Sequence, residues 1–156
     1  MTVPVMERVL LPTDGSDCAE TAAGLASRIA SDYDATLHVL HISETVPGKV
    51  DGPPILDADL EATDCEAIQR IHQQARGYGA EDIEAAISSG YPFREIVRYV
   101  ELRDIDIVVM GSHDRTGLGR VLNRSTTKNV IRRSPAPVLT VPQSTEESAM
   151  LPIPEQ

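Results

Sequence analysis

Five short apolar runs alternate with stretches of helical periodicity, and this alternation constrains the fold more than any other feature of the chain. Arg8-Val9-Leu10-Leu11-Pro12 reads as a buried strand. Asp17, with Glu20 three residues on, is a helix-start signature, and Cys18, Ala22, Leu25, Ala26 and Ile29 then share one helical face. Thr36 to Ile42 is a second strand, rich in β-branched and apolar residues. Pro47, Gly48, Gly52, Pro53 and Pro54 make residues 43–57 an expected mobile surface loop. A longer helix is predicted from about Asp59 to Arg76, with Leu60, Ala67, Ile68, Ile71 and Ala75 inward, ended by Gly77 and Gly79. Ile83, Ala85 and Ile87 alternate with polar neighbours, which predicts a half-exposed edge strand. Pro92 opens the next helix, whose inward face is predicted to be Phe93, Ile96, Val97 and Val100. Ile105 to Met110 is the most apolar strand and is expected to be central. A helix then runs to about Arg133, before Pro135, and Pro137 to Val141 is the last strand.

Strands that alternate with helices pair in parallel. The expected fold is therefore α/β, one doubly wound domain over residues 1–142, with helices on both faces of a five-stranded sheet. Residues 143–156 form a polar, acidic, proline-bearing tail, expected to be flexible and loosely held. In such sheets ligands sit beyond the carboxyl ends of the strands, where the strand order reverses. Two segments matter most on that ground: the exit of the first strand, Pro12 to Ser16, and the exit of the fourth, Gly111 to Ser125.

The charge balance removes several functions. A formal net charge of -10 argues against nucleic-acid binding, which needs a basic face. No apolar run approaches the ~20 residues that span a bilayer, and residues 1–6 carry no basic-then-apolar leader, so no membrane association is expected. Cys18 and Cys65 lie far apart and form no CxxC pair, which disfavours a disulfide framework and points to the cytoplasm. Lys49 and Lys128 are the only lysines; the other twelve cations are arginine. An acidic, lysine-poor surface suits high salt, where screening removes self-repulsion, so a halophilic source is expected; codon bias in an ordinary acidic protein is the alternative.

Thr13-Asp14-Gly15-Ser16 puts a carboxylate at the tip of the first strand. Asp14 either accepts hydrogen bonds from a ribose hydroxyl or an adenine amine, or merely caps the following helix. Gly111-Ser112-His113-Asp114-Arg115-Thr116-Gly117-Leu118-Gly119 follows the fourth strand, and backbone amides of such a loop offer an anion site. It matches neither the GxxxxGK[ST] phosphate loop nor a GxGxxG after the first strand. In combination, however, Pro-Thr-Asp-Gly-Ser after the first strand, Leu-His-Ile ending the second, Val-Val-Met-Gly-Ser-His, and Ser-Pro-Ala-Pro-Val-Leu-Thr-Val closely resemble the universal stress protein family, from about Arg8 to Val141.

That resemblance implies strand order 3-2-1-4-5 and a regulatory role in the stress response around an adenine-nucleotide pocket. It implies that Pro12, Thr13 and Asp14 flank base and ribose, that Ile42 offers its backbone to adenine, and that Met110 lines the pocket. ATP-binding members carry Gly-x2-Gly-x9-Gly-Ser/Thr after the fourth strand. Here Gly111 keeps the first glycine and Ser125 the final hydroxyl, whereas Asp114 and Arg124 replace the second and third glycines. Ser112, His113 and Thr126 complete the candidate set. The cofactor is AMP or ATP, with Mg only alongside ATP, or none. A true ATP/AMP sensor is the alternative within the family, and a weak nucleotide hydrolase the alternative outside it.

No catalytic constellation is legible: there is no GxSxG elbow, and a phosphate-accepting receiver domain would need a lysine where the last strand ends Val141-Pro142. His38 and His41, three apart on a strand, point to opposite faces and form no local metal pair. Pro137 to Val141 is apolar with no later element to cover it, and the resemblance implies a homodimer through this strand, paired antiparallel about a two-fold axis. An unidentified protein partner is also expected.

Overall fold

The apolar run at the start of the chain is strand β1 (Arg8–Thr13), with five of its six residues buried. The computed structural model describes residues 5–14, 17–43, 56–58, 65–112 and 124–142. After β1 come α1 (Asp17–Tyr33), β2 (Thr36–Ser43), β3 (Leu56–Ala58), α2 (Glu66–Gly77), β4 (Ile83–Ser89), α3 (Pro92–Leu102), β5 (Ile107–Ser112), α4 (Arg124–Arg133) and β6 (Val138–Pro142). They form one sheet in the order β3-β4-β2-β1-β5-β6. The five longer strands are parallel and stand in the expected order, fourth-listed β4 outermost on one side and β6 on the other.

The short strand β3 departs from expectation. It lies at the end of a segment read as loop and pairs antiparallel with β4, Leu56 opposite Ile87 and Ala58 opposite Ala85. So β4 has neighbours on both sides and is not an edge strand. Three residues carry no readable period, and their pairing is set by the backbone groups that β4 leaves open. The predicted start of the preceding helix, Asp59 and Leu60, lies outside the described residues. Ala67, Ile68, Ile71 and Ala75 of α2 are buried as expected.

Two cores flank the sheet. Val9 and Leu11 of β1 and Leu37 and Val39 of β2 meet the helices α1 and α2. Leu10, Leu40, Ile42, Val108 and Met110 meet α3 and α4, through Ile96, Tyr99, Val100 and Val130. This alternation from one residue to the next is the period of a pleated strand, and both faces are buried because both carry helices.

The helices turn differently from their hydropathy. In α1 the buried stripe is Ala19, Ala22, Ala23, Ala26, Ser27 and Ala30, whereas Leu25 is 39% exposed and Ile29 half-buried. Small side chains let the helix approach the sheet closely, so alanines rather than the largest apolar residue define the inner face. Asp17 is the first helical residue rather than the residue before the helix. In α3 the buried residues are Glu95, Ile96, Tyr99 and Val100, and Phe93 and Val97 are only half-buried. The rotation carries Tyr99 to His38, whose Nδ1 is 2.8 Å from the phenol oxygen, and Glu95 to Ser88, whose hydroxyl donates to it at 2.5 Å.

Carboxylates tie the entry ends of the strands. Asp106, just before β5, accepts from the backbone N–H of Glu7 and Arg8 at 2.8 and 2.9 Å. Asp82, before β4, accepts from the Thr36 hydroxyl at 2.7 Å. After α2 the chain reverses through Gly79 at φ +97°, and a Cβ there would stand 2.9 Å from the Ser31 hydroxyl.

Candidate functional site

Backbone direction in β1 explains where a crevice can open. In parallel strands alternate residues turn their N–H and C=O groups to opposite neighbours. The Glu7 carbonyl accepts from Thr36 at the start of β2, and the Arg8 carbonyl accepts from Asp106 at the start of β5. Even-numbered residues of β1 therefore serve β5. Pro12 is even-numbered and has no N–H to give. Pairing of β1 with β5 is formed at Val9–Ile107 and Leu10–Val108 and goes no further, whereas pairing with β2 continues to Thr13–His41. The ladder thus ends two residues before Pro12 on the side where the strand order reverses, at the carboxyl ends.

Around that opening stand several of the expected residues. Pro12 and Thr13 are buried at the end of β1, with Asp14 half-buried just beyond. Ile42, 1% exposed, closes the β2 end and lies in register with Ser88 of β4. Met110 and Gly111 are buried in β5, and Ser112 is its last residue. In the first turn of α4, Thr126 and Thr127 are buried and Ser125 is exposed. Arg124 opens α4 as its first residue. His113 and Asp114 lie outside the described residues. The structure therefore gathers the base and ribose candidates of three strands at one rim, with α4 beginning beside them.

His41 is a rim residue that the sequence argument weighed only as a metal ligand and left out of the nucleotide set. Its partners in register are Thr13 and Ile87, and it projects to the face opposite His38. Its Nδ1 is buried and has no hydrogen-bond partner among the described residues. Only the strand register puts it beside Asp14; the one advance signal was its place at the end of the second apolar run. No cluster of three metal-ligating side chains occurs among the described residues.

Both imidazoles are held below their ordinary pKa. For His38, burial is the main cause; Glu84 opposes it, Arg103 and Arg8 reinforce it, and Asp82 opposes it weakly. For His41, burial again leads and the Asp14 carboxylate opposes it. Below the usual histidine pKa of about 6.5 the unfolded chain takes up protons that the folded protein does not. Stability therefore holds above about pH 6.5 and falls as the pH drops through the range below it. Urea unfolding at pH 7.5 and 5.5 is expected to show the loss, and His38→Gln with His41→Gln to reduce it. An equal loss in that double variant would refute the assignment.

The model of the family described as "Universal stress protein family" matches residues 6–142. The chain belongs to the universal stress protein family. Universal stress protein MJ0531 of Methanocaldococcus jannaschii is 31% identical over 147 residues, covering 90% of this chain and 85% of that protein. Universal stress protein MJ0577 of the same organism is 31% identical over 155 residues, covering 86% and 94%. A universal stress protein solved in complex with cAMP superimposes with a TM-score of 0.66 at 29% identity, covering 90% of this chain and all of that one. Among the described residues no helix is long and apolar enough to cross a membrane.

Proposed function

We propose that this universal stress protein is a regulatory binder of an adenine nucleotide, held at the carboxyl ends of β1, β2 and β5. The observation that carries the reading is the end of the β1–β5 ladder ahead of Pro12, with Asp14 at the rim of the opening. The relative at 29% identity that holds cAMP supports the ligand class. In this reading Asp14 accepts from the ribose hydroxyls, the Ile42 backbone meets the adenine edge, and Met110 packs on the base. Ser125 and Thr126 at the start of α4 face the phosphate, where backbone N–H groups and the helix dipole favour an anion. The output is a change of conformation or of partner, with no chemical step. Calorimetric titration with AMP tests it. A bond to a charged acceptor contributes roughly 1.5–3 kcal/mol, so Asp14→Ala is expected to weaken AMP by about tenfold or more. No AMP binding at millimolar concentration, or binding unchanged in Asp14→Ala, would refute it.

The protein is further proposed to act as a homodimer through β6. This strand ends the sheet, and Leu139 on it is 37% exposed. An open edge offers unpaired backbone groups to a second copy, and the two-fold arrangement pairs Pro137 to Val141 with the same residues of its partner. Light scattering at micromolar concentration is expected to give a dimer, and Leu139→Arg a monomer, since two like charges would then meet across the axis. A wild-type monomer in both low salt and molar KCl would sink the proposal.

A further inference from the structure

On the outer surface of α3 and α4, an open cavity of about 190 Å³ is lined by Phe93, Arg94, Val97, Arg98, Glu101 and Arg133. Its lining combines apolar Phe93 and Val97 with three arginines and one glutamate. The Arg94 guanidinium lies 5.8 Å from the centre of the Phe93 ring and 5.2 Å from that of Tyr91, and the Arg133 guanidinium lies 5.7 Å from Phe93. Two guanidiniums thus share one aromatic ring, which holds them in place by cation–π attraction. Arg98 is paired with Glu95 at 3.3 Å. No carboxylate of the described residues lies within 4.0 Å of Arg94 or Arg133.

That lack of partners stands out against the chain's own charge. Acidic residues outnumber basic ones 24 to 14, so a surface arginine has acids in excess to pair with. Yet α4 carries Arg124, Lys128, Arg132 and Arg133 and no acidic residue at all. Six of the fourteen basic residues thus stand on α3 and α4, and among the described residues Arg94 and Arg133 have no carboxylate within 4.0 Å.

We propose that this groove is a docking site for an acidic peptide segment of a partner protein, in which carboxylates flank one bulky apolar side chain. Arginine guanidiniums receive carboxylates in a bidentate fashion, and those of Arg94 and Arg133 are already fixed on Phe93, so little side-chain entropy is lost on binding. The apolar side chain packs on Phe93 and Val97. Cavity size rules against a cofactor: small-molecule sites enclose roughly 300–1,000 Å³, and this groove holds about one large side chain. Charge rules against nucleic acid, since such binding rests on many phosphate contacts and the molecule as a whole is strongly negative. Glu101 on the lining adds discrimination, because it repels an unbroken run of carboxylates and tolerates one interrupted by an apolar residue.

The test uses the full chain and fluorescein-labelled Glu-Glu-Leu-Phe-Glu-Glu, read by anisotropy at about 50 mM salt. The expected result is saturable binding at least fivefold tighter than that of hexaglutamate. Arg94→Glu with Arg133→Glu is expected to weaken it by tenfold or more while AMP affinity and melting temperature stay unchanged, as both residues are exposed. Val97→Ser, which keeps every charge, is expected to erase the preference over hexaglutamate. Equal binding of the two peptides, or no effect of the arginine substitutions, overturns the proposal. So does a single-stranded DNA 12-mer that binds more tightly than the peptide. Displacement of the probe by a free peptide of residues 143–156 at lower concentration than by the unlabelled probe would make the occupant this chain's own tail, and would overturn the partner assignment.

Discussion

Wild-type protein is expected to bind AMP at least tenfold more tightly than Mg-ATP, and Asp114→Gly combined with Arg124→Gly to reverse that order. The reason lies in two positions where the family resemblance implies glycine in ATP-binding members and this chain has Asp114 and Arg124. Glycine leaves room beside the phosphates and frees backbone N–H groups to meet them. In the proposed site Asp114 would set a carboxylate against a polyanion. At ~4 Å and an effective dielectric near 20, such repulsion is on the order of 4 kcal/mol before screening. A tenfold difference needs only about 1.4 kcal/mol, so a well-screened remnant of the repulsion suffices. AMP, with one phosphate close to the ribose, avoids most of it. Arg124 acts in the opposite sense, since a guanidinium can grip a phosphate, so Asp114→Gly alone is expected to recover more ATP affinity than Arg124→Gly alone. Calorimetry on the four proteins decides the matter. Micromolar Mg-ATP affinity in the wild type would refute it.

The second large effect is expected in the α3–α4 core. Tyr99, 1% exposed, is the largest fully buried side chain among the described residues, and its hydroxyl is bonded to His38 Nδ1 on β2. Tyr99→Ala leaves a cavity and an unpaired buried imidazole, and is expected to cost about 4 kcal/mol or more. For a domain of this size each kcal/mol lowers the melting temperature by roughly 2–4 °C, so a fall on the order of 10 °C or more is expected by scanning calorimetry. Tyr99→Phe keeps the ring and removes the hydroxyl alone, at about 1–3 kcal/mol. If Tyr99→Phe were as damaging as Tyr99→Ala, packing would not be the larger contribution and this account of the core would fail.

The two predictions differ in where their grounds lie. The nucleotide prediction comes from Asp114 and Arg124, which the family resemblance places where ATP-binding members carry glycine. The Tyr99 prediction was not available before the structure, because the apolar face assigned to α3 ran through Phe93 and Val97. A helix that buries a tyrosine and a glutamate gains nothing on a hydropathy scale. It is favoured only when His38 and Ser88 stand opposite to receive them. The same holds for α1, where close packing on the sheet selects alanines and leaves Leu25 39% exposed.

By itself the sequence determined the class of fold, the parallel order of its five main strands and the family. The class of fold follows from periodicity; the strand order and the family follow from the resemblance carried by motifs that stand close together along the chain, Pro12-Thr13-Asp14 at the end of one strand and Met110-Gly111-Ser112 at the end of another. What the tertiary structure alone decided are relations between residues far apart in the chain. It placed His41 beside Thr13, added β3 to the edge of β4, and set Arg94 and Arg133 on one phenylalanine. It also showed that the missing N–H of Pro12 falls on the β5 side, where the pairing of β1 with β5 ends. Local propensity cannot encode such relations, because they depend on register and on the rotation of each helix, and both are fixed only when every element has found its partner.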